Sequence, residues 1–202
     1  MNILQMRAEN NSKDAFVLSA LEEALEAGRL ALENLTDSLP APSLEAKQPV
    51  NINQLLREAL AISTEQLLAQ GVTVEWQPSM HLPSVIGRGR RLRSMFKQVI
   101  ENAIDAMSQR SVKKRELSVA TRAEKDIVIC EISDTGPGIP AELLVKVFQP
   151  FFSTKTSGHG CRGMGLPMVQ EIASDHSGTV YIDPDYHQGC RVVIHIPVSS
   201  AG

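Results

Sequence analysis

Cysteine is scarce and scattered in this chain of 202 residues: Cys130, Cys161 and Cys190 form no C-x-x-C pair. That spacing indicates neither a zinc site nor a disulfide framework. Cys130, inside "IVICEIS", reads as a small buried hydrophobe. Aromatic residues make up only 4%, which leaves the core to Leu, Ile, Val and Ala. No apolar run reaches the ~18 residues of a membrane helix and no secretory leader is visible, so the expectation is a cytoplasmic protein with no membrane partner. A charge excess is missing as well. The balance of 20 basic and 23 acidic residues gives no global reason to bind nucleic acid. The local basic runs "RGRRLR" (Arg88 to Arg93) and "KKR" (Lys113 to Arg115) read as a solvated helix face and a basic turn. No Gly-Lys pair occurs, which excludes a P-loop, and neither H-R-D nor D-F-G is present, which excludes a eukaryotic-type kinase.

What is present begins with a leucine stripe. Leu18, Leu21, Leu25, Leu32, Leu35 and Leu39 step by threes and fours, interrupted only by Gly28. This heptad pattern predicts a helix that needs a partner, and homodimerisation through it is the expectation. "SLPAPSLEAKQPV" (Ser38 to Val50) carries three prolines and reads as a linker, with a boundary near residue 45. The organisation is therefore a helical dimerisation-type segment with linker over 1–45 and a second domain over 46–202.

In that second domain, "NINQLLREALAISTEQLLAQ" opens on an Asn cap and predicts one amphipathic helix. "VTVEW" (Val72 to Trp76) alternates like a strand. "RLRSMFKQVIENAIDAM" (Arg91 to Met107) is a helix with Leu92, Met95, Phe96, Val99, Ile100, Ala103 and Met107 on one face. "LSVATR" and "IVICEIS", joined by "AEKD", predict a hairpin. A short helix from about Ala141, a helix from about Met164 to Asp175, and the strands "TVYID" and "CRVVIHIP" follow. Strands and helices cluster without strict alternation, which predicts α+β: a two-layer sandwich in which helices cover one face of a mixed sheet.

Glycine concentrates where chemistry is expected. "TSGHGCRGMGLP" (Thr156 to Pro167) runs directly into a helix, the arrangement that receives phosphate on bare backbone. Gly158, Gly160 and Gly163 spell G-x-G-x-x-G, but the strand that a dinucleotide site needs is missing before them. "SDTGPGI" (Ser133 to Ile139) sets an aspartate after a buried strand, where it can accept from an exocyclic amine while the glycines admit a flat base. "QVIENAIDAM" places Asn102 on the helix with the long apolar face, and an amide oxygen there can ligate Mg²⁺ beside phosphates.

Together with "FQPFFSTK" (Phe148 to Lys155) and "GMGLPMVQEI", these stretches resemble the four boxes of the GHKL ATPase superfamily, the Bergerat fold of histidine kinases, type II topoisomerases, Hsp90 and MutL. The resemblance covers about residues 50 to 198. It implies that Asn102 is a magnesium ligand, that Asp134, Gly136, Gly138 and Ile139 bind adenine, and that Phe151 and Phe152 form the F box. It also implies that Gly163, Gly165 and Leu166 form the last glycine box. Lys155 and Arg162, in a lid from about Ser153 to Arg162, would meet phosphate charge. The implied ligands are ADP or ATP with Mg²⁺. In one departure, "GC" (Gly189, Cys190) replaces the usual Gly-Thr and removes a hydroxyl near the base. Two further departures bear on chemistry. Gln98 stands four residues before Asn102, where relatives carry a second Asn or a catalytic Glu, and a neutral amide cannot act as a general base. None of the five histidines (81, 159, 176, 187 and 195) lies in the H-E-x-x-[NRST]-P context of a phospho-acceptor. A narrower likeness runs from "PVNINQLLREALAIS" through "LPSVIGRGRRLRSMFKQVIENAIDAM", which is similar to the C-terminal part of the NifL family. That likeness implies an ADP-responsive regulatory domain that contacts a NifA-like transcriptional activator without phosphotransfer. The alternative is the ATP-binding catalytic domain of an active two-component sensor kinase.

Overall fold

Asn51 starts the first helix as the sequence predicts: its side chain accepts a hydrogen bond from the Gln54 N–H at 3.1 Å. The computed structural model describes residues 45–109, 112–152 and 163–198, all within the unit Glu45–Gly202. The leucine-stripe segment, the dimerisation expected of it and the lid with Lys155 and Arg162 lie outside the described residues.

Strand β1 (Gln48–Val50) leads into α1 (Ile52–Ile62), which buries Ile52, Leu55, Leu56 and Ala59 at helical spacing. The single helix expected here is broken. Thr64 Oγ1 donates to the Leu60 carbonyl at 3.1 Å, a bond that competes with the helix ladder. A short helix α2 (Thr64–Ala69) then restarts and turns Leu67 inward.

Strands β2 (Thr73–Gln77) and β3 (Val85–Gly87) precede the long helix α3 (Gly89–Met107). Next come the hairpin of β4 (Glu116–Glu124) and β5 (Ile127–Asp134), and two single 3₁₀ turns, Ala141–Leu143 and Lys146–Phe148. The 3₁₀ turns stand where one short helix was expected. Helix α4 (Gly165–Asp175) and strands β6 (Thr179–Ile182) and β7 (Arg191–Pro197) complete the described order.

Five strands form a sheet in the order β2-β4-β5-β7-β6, with β2 and β4 parallel and the other pairs antiparallel. Successive residues of a strand face opposite ways, so every second residue shares a face. Thus Leu117, Val119, Val128, Cys130, Ile132, Val192, Ile194 and Ile196 share one buried face, while Glu75, Arg122, Glu131, Tyr181 and His195 share the other. The helices pack on the apolar face, with α3 central between α1 and α4 and Phe96 fully buried. This is the mixed sheet under one helical layer that the sequence predicts. A separate antiparallel pair, β1 with β3, is an addition to it.

The basic run is used locally. Arg91 pairs with Glu171 at 2.8 Å and Asp175 at 2.7 Å, and Arg93 with Glu58 at 2.9 Å, which ties α3 to α4 and α1. Such half-exposed pairs each contribute little stability, but they neutralise the patch.

Candidate functional site

Register carries Asp134 to the end of β5, opposite Leu117, so its carboxylate points to the helical layer and is only 5% exposed. Asp134 Oδ1 accepts from the Gly136 N–H at 2.8 Å and from the Cys190 N–H at 3.3 Å. Among the described residues Oδ2 takes no such bond, which leaves it as an acceptor for a donor entering from outside. Burial pushes the carboxyl up to about 6, against the lowering pull of those two amides. The neighbouring Cys190 thiol is pushed up to about 12 by burial and then by the Asp134 charge, so it stays protonated and inert. Cys130 is fully buried in the core, as its strand context predicts.

Glycines make this corner thin. A Cβ on Gly189 would lie 2.0 Å from the Asp134 carbonyl oxygen, and one on Gly136 would lie 3.1 Å from the Ala106 Cβ. Gly138 holds a left-handed φ of +74°, with its Cβ direction closed by the Gly189 carbonyl. Thr135 locks the loop below, donating to the Lys114 carbonyl at 2.6 Å and accepting from the Glu116 N–H at 3.0 Å. Thr135 is not a predicted site feature, whereas Gly189 belongs to the "GC" pair that the family resemblance puts near the base.

Helix α3 runs past this corner. Gln98, Asn102 and Ala106 are spaced i, i+4, i+8 and so lie on one face along about 12 Å of helix. Ala106 touches the Gly136 corner, and the other end meets the start of α4, where a Cβ on Gly165 would lie 2.9 Å from Gln98 Nε2 and 3.3 Å from Asn102 Nδ2. Gln98 Nε2 donates to Asn102 Oδ1 at 3.3 Å. Among the described residues the α4 N-terminus has no side-chain cap. Its first amides are therefore available to an anion. Glu101, one position round the helix, pairs with Lys97 at 3.1 Å instead of facing this groove.

The remaining predicted residues take distinct places. Leu166 and Ile139 pack against the core. Phe152 is half-buried, whereas the Phe151 side chain is 81% exposed and contributes backbone: its N–H donates to the Gly163 carbonyl at 3.0 Å. Gly163, at φ +61°, has no room for a Cβ beside Phe151 and Phe152. The backbone bond holds Gly163 beside Phe151. A cleft of about 470 Å³ lined by Leu144, Val145, Phe148, Gln149, Gln170, Tyr181 and Ile182 shares no residue with this set.

The donor set decides what fits. A buried acceptor with one free oxygen beside a backbone shelf suits the amine edge of adenine. Among the described residues no three His, Cys, Asp or Glu side chains cluster to hold a metal. A metal here would have Asn102 as a neutral oxygen ligand and would draw the rest of its shell from phosphate and water, which is how Mg²⁺ binds. Both groups fit.

The raised carboxyl has a consequence for pH. With a folded value near 6 against 3.8, its contribution to stability is full below pH 3.8 and is lost as pH rises through about 6. An amine donor favours the ionised form. ADP affinity is therefore expected to fall as pH drops from about 7 to about 5, by up to roughly tenfold per unit. Calorimetric titrations across that range, with Asp134→Asn as the flat reference, read this out; equal slopes in both proteins would refute it.

Comparison with known proteins bears on the family and the fold. The family described as "Histidine kinase-, DNA gyrase B-, and HSP90-like ATPase" matches residues 87–200. The sensor histidine kinase TmoS of Ectopseudomonas mendocina is 29% identical over 75% of this chain and 16% of its own length. The sensory histidine kinase/phosphatase NtrB of Rhizobium leguminosarum bv. phaseoli is 33% identical over 68% of this chain and 38% of its own. This chain thus spans well under half of either relative. Among solved structures, the catalytic domain of histidine kinase ThkA superposes with a TM-score of 0.66 at 25% identity, covering 75% of this chain and 95% of that one. Among the described residues no helix is long and apolar enough to cross a membrane.

Proposed function

The chain belongs to the histidine kinase-, DNA gyrase B- and HSP90-like ATPase family, and from that premise we propose that it is a nucleotide-gated regulatory module. Its histidine-kinase-type domain binds ADP or ATP and thereby changes its affinity for a protein partner, without transferring phosphate. The observation that carries this reading is the polar face of α3. Gln98, a neutral amide spent on Asn102, cannot take a proton, and Glu101, the residue next to Asn102 on that helix, is paired with Lys97.

In this reading Asp134 selects adenine, the glycine shelf admits the ring, and the α4 N-terminus with Asn102 faces the phosphates. Mg²⁺, when bound, neutralises phosphate charge and helps to orient it. Lys155 and Arg162 add positive charge from the lid. The likeness to the NifL family supports a NifA-like transcriptional activator as the partner, with ADP as the signalling nucleotide. Neither nucleic acid nor membrane enters this scheme.

A second reading is favoured by relatives that are named as sensor histidine kinases, and by the solved complex of histidine kinase ThkA with the response regulator TrrA. There this domain would be the catalytic part of an active kinase. Incubation with γ-labelled ATP, alone and with a dimerisation hairpin bearing an acceptor His, separates the two. No label on either chain, with ADP binding intact, is the expected result. Label on the hairpin histidine would overturn the regulatory reading in favour of the kinase.

A further inference from the structure

We propose that Gln98 is a positioning residue that sets the metal-facing oxygen of Asn102, so that the Mg²⁺ dependence of nucleotide binding is governed from one turn away. The proposal rests on the nucleotide reading of this site. An Asn carboxamide has nearly two-fold symmetry in shape, and its terminal torsion is soft. Without a neighbour to choose, it presents nitrogen as readily as oxygen. Here Gln98 Nε2 donates to Asn102 Oδ1 at 3.3 Å, while Asn102 Nδ2 lies toward the start of α4. The donor therefore selects one of the two orientations. Mg²⁺ tolerates little departure from its ligand geometry, and groups behind the ligand hold that geometry.

Gly165 supplies the second observation. Among the described glycines, only Gly71, Gly138 and Gly163 have a left-handed φ, so the backbone does not demand glycine at 165. An added Cβ would instead displace the Gln98 amide, since it would sit 2.9 Å from Gln98 Nε2 and 3.2 Å from its Cδ. The start of α4 is thus shaped around the Gln98 amide. Gln98, Asn102 and Gly165 form one contact set that joins α3 to the helix end where phosphates are expected.

The test is the ratio of ADP dissociation constants, EDTA over Mg²⁺, measured by calorimetry on the full chain. Gln98→Ala keeps a strong helix former at the position and is expected to lower the ratio by roughly 10- to 100-fold. Gln98→Glu places an acceptor against Asn102, which must turn its Nδ2 inward. The ratio is expected to fall there too, although the added negative charge alone would raise it. Gly165→Ala, which pushes Gln98 away, is expected to lower the ratio in the wild-type background and to add nothing in Gln98→Ala. An unchanged ratio in Gln98→Ala overturns the proposal, as does a raised ratio in Gln98→Glu, which would make position 98 a ligand site. Additive losses for the Gln98→Ala and Gly165→Ala pair also overturn it, as does a wild-type ratio of one. No binding of ADP in either condition overturns the nucleotide reading itself and this proposal with it.

Discussion

Replacing Asp134 with Asn is expected to weaken ADP binding roughly 5- to 150-fold, the equivalent of about 1–3 kcal/mol for a mismatched buried pair. Oδ1 keeps both backbone donors, from Gly136 and Cys190. The new amide nitrogen then falls where Oδ2 was, and it faces the amine of the base, donor against donor. The apo protein should not lose stability at neutral pH. Burial already holds the wild-type carboxyl up near 6, so its ionised form is a burden that a neutral amide removes. An Asp that merely caps a turn would give the opposite pattern, a lower melting temperature with unchanged affinity. Calorimetry with ADP and thermal melting of both apo proteins distinguish the two. Unchanged affinity in Asp134→Asn would mean that the adenine site is elsewhere.

Gly189→Ala is expected to abolish measurable nucleotide binding and to lower stability by roughly 2–4 kcal/mol, or about 5–15 °C in melting temperature. The reason is backbone against backbone. The added Cβ would lie 2.0 Å from the Asp134 carbonyl oxygen and 3.0 Å from the Gly136 nitrogen, and no rotamer change relieves either contact. The loops after β5 and before β7 must part, and the bond from the Asp134 N–H to the Cys190 carbonyl, at 2.8 Å, parts with them. Gly71→Ala is the matched reference. Its φ is +62° with nothing within 4 Å of the added atom, so it should show backbone strain of about 1 kcal/mol and no effect on binding. A Gly189→Ala protein that melts within a degree or two of wild type and still binds ADP would show that the two loops are not in contact.

These effects divide into what local sequence carries and what it does not. The α3 helix was legible because one stripe of apolar residues repeats at helical spacing over its whole length. The β4–β5 hairpin was legible because β4 alternates, β5 is a short apolar run, and only Lys125 and Asp126 separate them. Asp134 and the glycines after it stood out because a carboxylate directly behind an apolar strand has few uses. Periodicity names a face but not its partner. Nothing in "QPV" or "VIG" announces that three residues at 48–50 pair with three at 85–87, and the helix break after Ile62 depends on a side-chain bond of Thr64.

The site divides along the same line. By itself the sequence determined the α+β class, the apolar stripe of α3, the acceptor at the end of β5 and the glycine-rich approach to α4, because each is written in neighbours a few residues apart. Only the tertiary structure decided that Gly189 closes on Asp134, that Ala106 meets Gly136, that Phe151 contributes backbone while its ring faces solvent, and that Gln98 holds Asn102 beneath Gly165. Apart from that exposed ring, these join residues of different elements, and their distances follow from how α3 and α4 pack on the sheet, which no local pattern encodes.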